Sequence, residues 1–164
     1  MSQGQTNQGQ TNQGQANQGR SMLVKKVKDN YLVVLPIEAP VAATLTQIVK
    51  KQAIAGGLVS GIGAVKNVQL GYYDLEKKDY VRKTFAEEDY ELISMNGNIS
   101  LRDGEPYVHL HASMGRSDFS VFGGHLFEAV VAVTVEIQIT ILGALPERQM
   151  QEDLGLQTIT RCPI

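Results

Sequence analysis

An α+β domain, one main helix against a mainly antiparallel sheet, is the fold class this sequence predicts. Three observations predict it. One stretch has helical apolar spacing, several runs alternate with the period of a strand, and an Asp-Gly pair is placed to turn one strand back onto the next. At 164 residues the chain fits one compact domain, long enough to bury a core. Its 43% apolar and 20% charged residues are ordinary for a globular protein.

Taken in order, the first 20 residues stand apart. GQTNQ, GQTNQ and GQANQ follow one another from Gly4 to Gln18, with no charge, no aromatic ring and almost no apolar side chain. Such a segment cannot bury enough surface to offset the entropy of ordering, so residues 1–20 are expected to be a disordered Gln/Asn/Gly tail. A period of five excludes collagen. The folded domain is expected over residues 21–145, with a C-terminal extension over 146–164.

Tyr31–Ile37 is a short apolar run ending near Pro36. The helix follows: Pro40 suits a first turn, Val41, Leu45, Ile48, Val49 and Gln52 fall near one face, and Gly56-Gly57 supplies a stop. Gly57–Asp74 reads as strand interrupted by glycines, with Val68, Leu70 and Tyr72 alternating against polar neighbours. DYVRKTF and DYELISMNGNISL continue the strand signal, and LEKKDYVRK reads as a solvated hairpin. Asp103-Gly104 turns NISLR onto EPYVHLHASM. Finally, Val133, Val135, Ile137, Ile139 and Ile141 alternate with polar residues.

Charge and cysteine usage narrow the function classes. A formal net charge of −2 lacks the basic field of a phosphate-backbone binder, although Lys25, Lys26 and Lys28 form a local basic run. The single cysteine, Cys162, excludes an internal disulfide and a cysteine-only zinc site, in keeping with a reducing cytoplasm. The start of the chain does not read as a signal peptide, and no apolar run approaches the roughly 20 residues of a membrane span. A soluble, cytoplasmic protein is expected, with no membrane partner.

All three histidines fall between Gly104 and Leu126. On a strand, His109 and His111 share a face with Tyr107 and Ser113, while Val108, Leu110, Ala112 and Met114 take the inward face. Residues i and i+2 stand roughly 6.5–7 Å apart, close enough for two imidazoles to lean onto one ion. His125 follows Gly123-Gly124, where the chain can turn or approach a neighbour closely and bring the third ring back. Three neutral imidazoles leave zinc one open position, and such a centre lowers the pKa of a bound water towards ~7 or polarises a carbonyl. Imidazole also suits iron, copper and nickel, so the expected cofactor is a divalent metal with zinc preferred. The same pattern fits an exposed polar strand face and a turn-capping histidine, and spacing alone leaves both readings open. A cupin is excluded, because Gly115 and Arg116 stand where its first motif requires a glutamate.

Other candidates are weaker. Glu136 opposes the Val/Ile stripe of its strand and is a candidate catalytic carboxylate, a position that a solvated glutamate or one paired at a subunit contact fills as well. Asp103 and Glu105 flank a turn, which explains them without chemistry. Ser60–Val65 contains Gly-X-Gly but not a dinucleotide fingerprint. Ser117 and Asp118 lie between the histidines without a nucleophile motif.

GLVSGIGAVKNVQLGYYD, YELISMNGNIS, GEPYVHLHASM and GGHLFEAVVAVTVEI, taken together and in this order, resemble the bacterial and archaeal branch of the plants-and-prokaryotes-conserved (PPC) domain family. The resemblance covers about Met22 to Leu142. It implies a compact α+β domain, a homotrimer, and a metal site formed by His109, His111 and His125. The function expected is therefore a metal-dependent protein that binds or acts on an unidentified small molecule, with enzymatic activity left open. The alternative is a DNA-binding regulatory protein without an AT-hook. Plant members carry an Arg-Gly-Arg-Pro hook, whereas the only arginine near this tail is Arg20. Their Gly-Arg-Phe-Glu-Ile-Leu hexapeptide is matched here by Glu88–Ile93, with Asp89 in place of the arginine. DNA is thus the less favoured partner.

Overall fold

The computed structural model describes residues 21–164, so the repeat tail expected over 1–20 lies outside the described residues. Nine strands and one helix follow in chain order. These are β1 (Leu23–Val27), β2 (Asn30–Leu35), α1 (Val41–Lys51), β3 (Gly57–Asp74), β4 (Asp79–Phe85), β5 (Tyr90–Arg102), β6 (Glu105–Gly115), β7 (Val121–Ile141), β8 (Glu147–Gln151) and β9 (Leu156–Arg161). The pairings are antiparallel except for β5 with β8, which makes the sheet mixed.

Two strands are long enough to serve several neighbours. β3 pairs with β5 through its first half and with β4 through its second, while β7 runs beside it throughout. β7 also pairs with β6 at its start and with β2 at its end, and β6 pairs with β5. Strands β3, β5, β6 and β7 therefore close into a ring. Inside and under it lie Val59, Met95, Ile99, Leu110, Met114, Val135, Ile137 and Ile139, all buried. Closure matters for the site because it holds the start of β7 against β6.

The helix buries Val41, Leu45, Ile48 and Val49, as its spacing predicts. Its ends differ from expectation. Pro40 is the N-cap rather than a residue of the first turn and offers no side-chain cap. The carboxylate of Glu128 on β7 accepts from the backbone N–H of Ala42 and Ala43 instead, at 2.7 and 3.0 Å. It satisfies two orphan donors and places negative charge at the positive end of the helix dipole. Nor does Gly56-Gly57 stop the helix. Ala53 takes the left-handed conformation, and its N–H and that of Ile54 bond to the carbonyls of Lys50 and Val49. This is a Schellman arrangement with alanine where glycine is usual, anchored by buried Ile54.

Asp103-Gly104 does turn β5 onto β6, with both residues at positive φ. Two alternation readings need correction. Val133 is 56% exposed, because β7 carries extra residues where Gly63 pairs with Val135 and Val65 with Val131, and Val133 falls in that irregularity. Tyr72 is exposed beside exposed Val81, on the part of β3 that extends past β5. No helix of the described residues is long and apolar enough to cross a membrane.

Candidate metal centre

The period of two on β6 does what it predicts: Leu110, Ala112 and Met114 are buried, while His109 and His111 point the other way. His125 reaches them without a turn. Gly123-Gly124 lies inside β7, and the reversal is made earlier, around 116–120, where Arg116 and Ser120 are hydrogen-bonded. The register then sets His125 directly across from His111, with Gly124 across from Ala112. A Cβ at Gly123 would lie 2.5 Å from the Ala112 carbonyl oxygen, and one at Gly124 would lie 2.8 Å from that of Gly71. The two glycines serve close approach on both flanks of β7.

One nitrogen from each of His109, His111 and His125 lies within 4.8 Å of the other two. Their ring centroids are 5.0 to 5.4 Å apart. Ligands 2.0–2.1 Å from one ion stand at most about 4.2 Å from each other, so small side-chain rotations suffice to close the set. His125 is only 7% exposed, packed by Tyr80 and Phe127, and its Nδ1 has no hydrogen-bond partner among the described residues. A buried imidazole nitrogen left without a partner is costly in a protein, and coordination of a metal is one way to satisfy it. The residues fit the group.

Burial pushes the pKa of His109 down to about 4, helped by Arg148 and the other two rings. Burial likewise pushes His125 down to about 4, helped by His111, Arg82 and Arg148. Both imidazoles are neutral at pH 7, the form that binds metal. In the unfolded chain histidine titrates near 6.5, so between pH 6.5 and 4 the unfolded state takes up protons that the folded state refuses. Stability of the metal-free protein therefore falls as pH falls through that window. Urea midpoints of EDTA-treated protein from pH 7 to pH 4.5 should decline accordingly, and a flat series would contradict the assignment.

Arg148 on β8 adds a constraint. Its guanidinium donates to Ser100 Oγ, Asn98 Oδ1 and the Gln157 carbonyl, and one Nη lies 3.1 Å from His109 Nδ1. Guanidinium can only donate, so Nδ1 accepts. A metal-bound neutral imidazole carries its proton on the other nitrogen, leaving no acceptor. A metal held by His109 would therefore displace the contact with Arg148, whichever nitrogen were used.

A cavity of 520 Å³ opens beside the triad, lined by His109 and His125 and by Tyr80, Arg82, Tyr107 and Arg148 among others. His111 lines a separate depression of 260 Å³. Glu136 is exposed, in register with Ile62 and Val34, and belongs to neither. Glu105 pairs with Lys50 at 3.8 Å, whereas Asp103 does reach the larger cavity. Ser60–Val65 is mid-strand, which rules out a phosphate-cradling loop there. Asp118 accepts from the Ser120 N–H in a tight turn. Lys25 and Lys26 sit on consecutive positions of the edge strand β1, hence on opposite faces.

Sequence reasoning missed Tyr80, Arg82, Arg102 and Arg148. The first two hid in a stretch read as a solvated hairpin; their i, i+2 spacing was the available signal. Arg148 lies in the segment set aside as an extension, where nothing local marks it.

The model of the Plants and Prokaryotes Conserved (PCC) domain matches residues 22–143. Among solved structures, a plant- and prokaryote-conserved protein from Pyrococcus horikoshii is 35% identical, with a TM-score of 0.75 over 86% of this chain and 95% of that one. A metal-containing protein from Archaeoglobus fulgidus is 33% identical, with a TM-score of 0.74 over 86% and 97%. A candidate DNA-binding protein from Bacteroides thetaiotaomicron is 31% identical, with a TM-score of 0.81 over 85% and 96%. No curated protein matches the chain.

Proposed function

The chain belongs to the Plants and Prokaryotes Conserved domain family, and on that footing we propose that it is a metal-dependent protein that binds or transforms a small molecule. His109, His111 and His125 hold one divalent ion, zinc by preference, beside the 520 Å³ cavity. What carries the reading is the convergence of three imidazole nitrogens within 4.8 Å, one of them buried and unpartnered. The Archaeoglobus relative, described as metal-containing, supports it. When bound, the metal supplies Lewis acidity at the cavity wall. The chain's own residues keep two ligands neutral, exclude water from His125 and shape the chamber. Elemental analysis of protein purified without a His-tag tests the reading: about one ion per chain is expected for one such site, and metal-free protein that refuses added zinc would end it.

The working assembly in this proposal is a cytoplasmic homotrimer. Ile62, Ile93, Val133 and Phe119 are exposed, the last by 93%, and the latter three line one depression of 540 Å³. Apolar groups gathered like this mark a contact surface. Light scattering should give three times the chain mass of 17.9 kDa, and Val133→Asp should lower it to the monomer. A wild-type monomer would refute the trimer.

The Bacteroides relative favours a second reading, a DNA-binding regulator. Its electrostatic requirement, retention of duplex DNA that weakens steeply with salt, separates it from the first.

A further inference from the structure

The cavity beside the histidines is lined by three arginines, Arg82, Arg102 and Arg148, against one carboxylate, Asp103. None of the three arginines forms a salt bridge among the described residues; the five ion pairs there involve other groups. Arg82 lies on the Phe127 ring at 3.9 Å and Arg102 on the Tyr107 ring at 4.2 Å. Stacking fixes each guanidinium plane and leaves its in-plane N–H donors free to face a ligand. Arg148 is tied back by Ser100, Asn98 and the Gln157 carbonyl. It also lies over the Tyr107 ring at 5.1 Å, and its remaining hydrogen bond, to His109, is the one that a bound metal would displace. With a divalent ion in place, the chamber holds a large surplus of positive charge and an arginine that has lost an acceptor. At 520 Å³ it has the size of a small-molecule site, not of an inorganic ion alone. Tyr80, Tyr107 and Phe127 offer ring faces for a carbon skeleton.

We infer that this cavity takes a small organic anion, whose carboxylate or phosphate group is received by Arg82, Arg102 and Arg148 beside the metal. Planar forks suit both oxyanions, in a geometry that lysine would not reproduce. The inference rests on the metal reading above and names the ligand class for that site. It gives a role to the C-terminal hairpin β8–β9, which lies beyond the family match and supplies Arg148 and much of one wall.

The test is calorimetric titration of the full chain, zinc-loaded, with malonate, inorganic phosphate and the neutral malonamide. Saturable binding of malonate or phosphate but not malonamide is expected, and the tighter of the two anions identifies the group. Arg82 and Arg102 are exposed, so Arg82→Gln with Arg102→Gln should fold; the pair should weaken binding at least tenfold with metal content unchanged. Arg82→Gln alone gives a milder second variant, expected to weaken binding severalfold. Metal content is read on the same samples. A chain that takes up no metal overturns the metal site itself. A metal-loaded chain that binds neither anion, or binds one regardless of the arginines, overturns this inference and leaves the metal site standing.

Discussion

Alanine at both His109 and His111 is expected to abolish metal binding, from about one ion per chain to none that survives dialysis. In the proposed site each imidazole would supply one bond, and the pair two of three; His125 alone would offer a single ligand in a buried pocket. The fold should tolerate the change. His111 is exposed, and the loss of His109 leaves Arg148 its three other partners. Stability gives a second readout. Zinc at a hundred times its dissociation constant adds about 2.7 kcal/mol to a protein that binds it only when folded. Wild-type protein should therefore gain several degrees in melting temperature with added zinc, and the double variant none. If the variant retains its metal, the ligands lie elsewhere.

That all three histidines were named from the sequence, His109 and His111 from local pattern and His125 as a ring that could come back to them, while much of their surroundings was not, has a physical reason. His109 and His111 needed only the period of a strand, which local sequence displays. His125 needed a register: β7 must meet β6 so that His125 falls opposite His111, and that depends on the residues spent in the reversal at 116–120. The glycine pair was read as something that could turn or approach closely, and close approach is what the strand uses. The helix was legible from its apolar face, but its stop was misplaced, because the Schellman ending uses Ala53 and buried Ile54 rather than the glycines downstream. Ring closure hid the rest. Gly71 is in register with both Arg82 on β4 and His125 on β7, so two stretches more than forty residues apart in the chain meet across one glycine. Arg148 arrives from 39 residues beyond His109. No periodicity announces such contacts; they exist only once long strands have chosen their partners.

Gly123→Ala should carry the second large effect, and through the backbone rather than through chemistry. The added methyl would sit 2.5 Å from the Ala112 carbonyl oxygen and 3.4 Å from the Ser113 Cα. Neither neighbour is a flexible side-chain tip. β6 and β7 must part, at a cost of about 1–3 kcal/mol for overpacking of this kind. That amounts to roughly 2–4 °C of melting temperature per kcal/mol at this chain length. The parting falls in the segment that holds His125 opposite His111, so zinc affinity should fall by at least tenfold although no ligand has been changed. Gly143→Ala is the control: a Cβ there meets nothing within 4 Å, and a change of less than about 0.5 kcal/mol is expected. Thermal melts with and without zinc separate the two contributions. Should Gly123→Ala lose stability but keep full zinc affinity, the triad is held by something other than the β6–β7 register. Should it lose neither, the two strands do not approach as closely as the glycine pair requires.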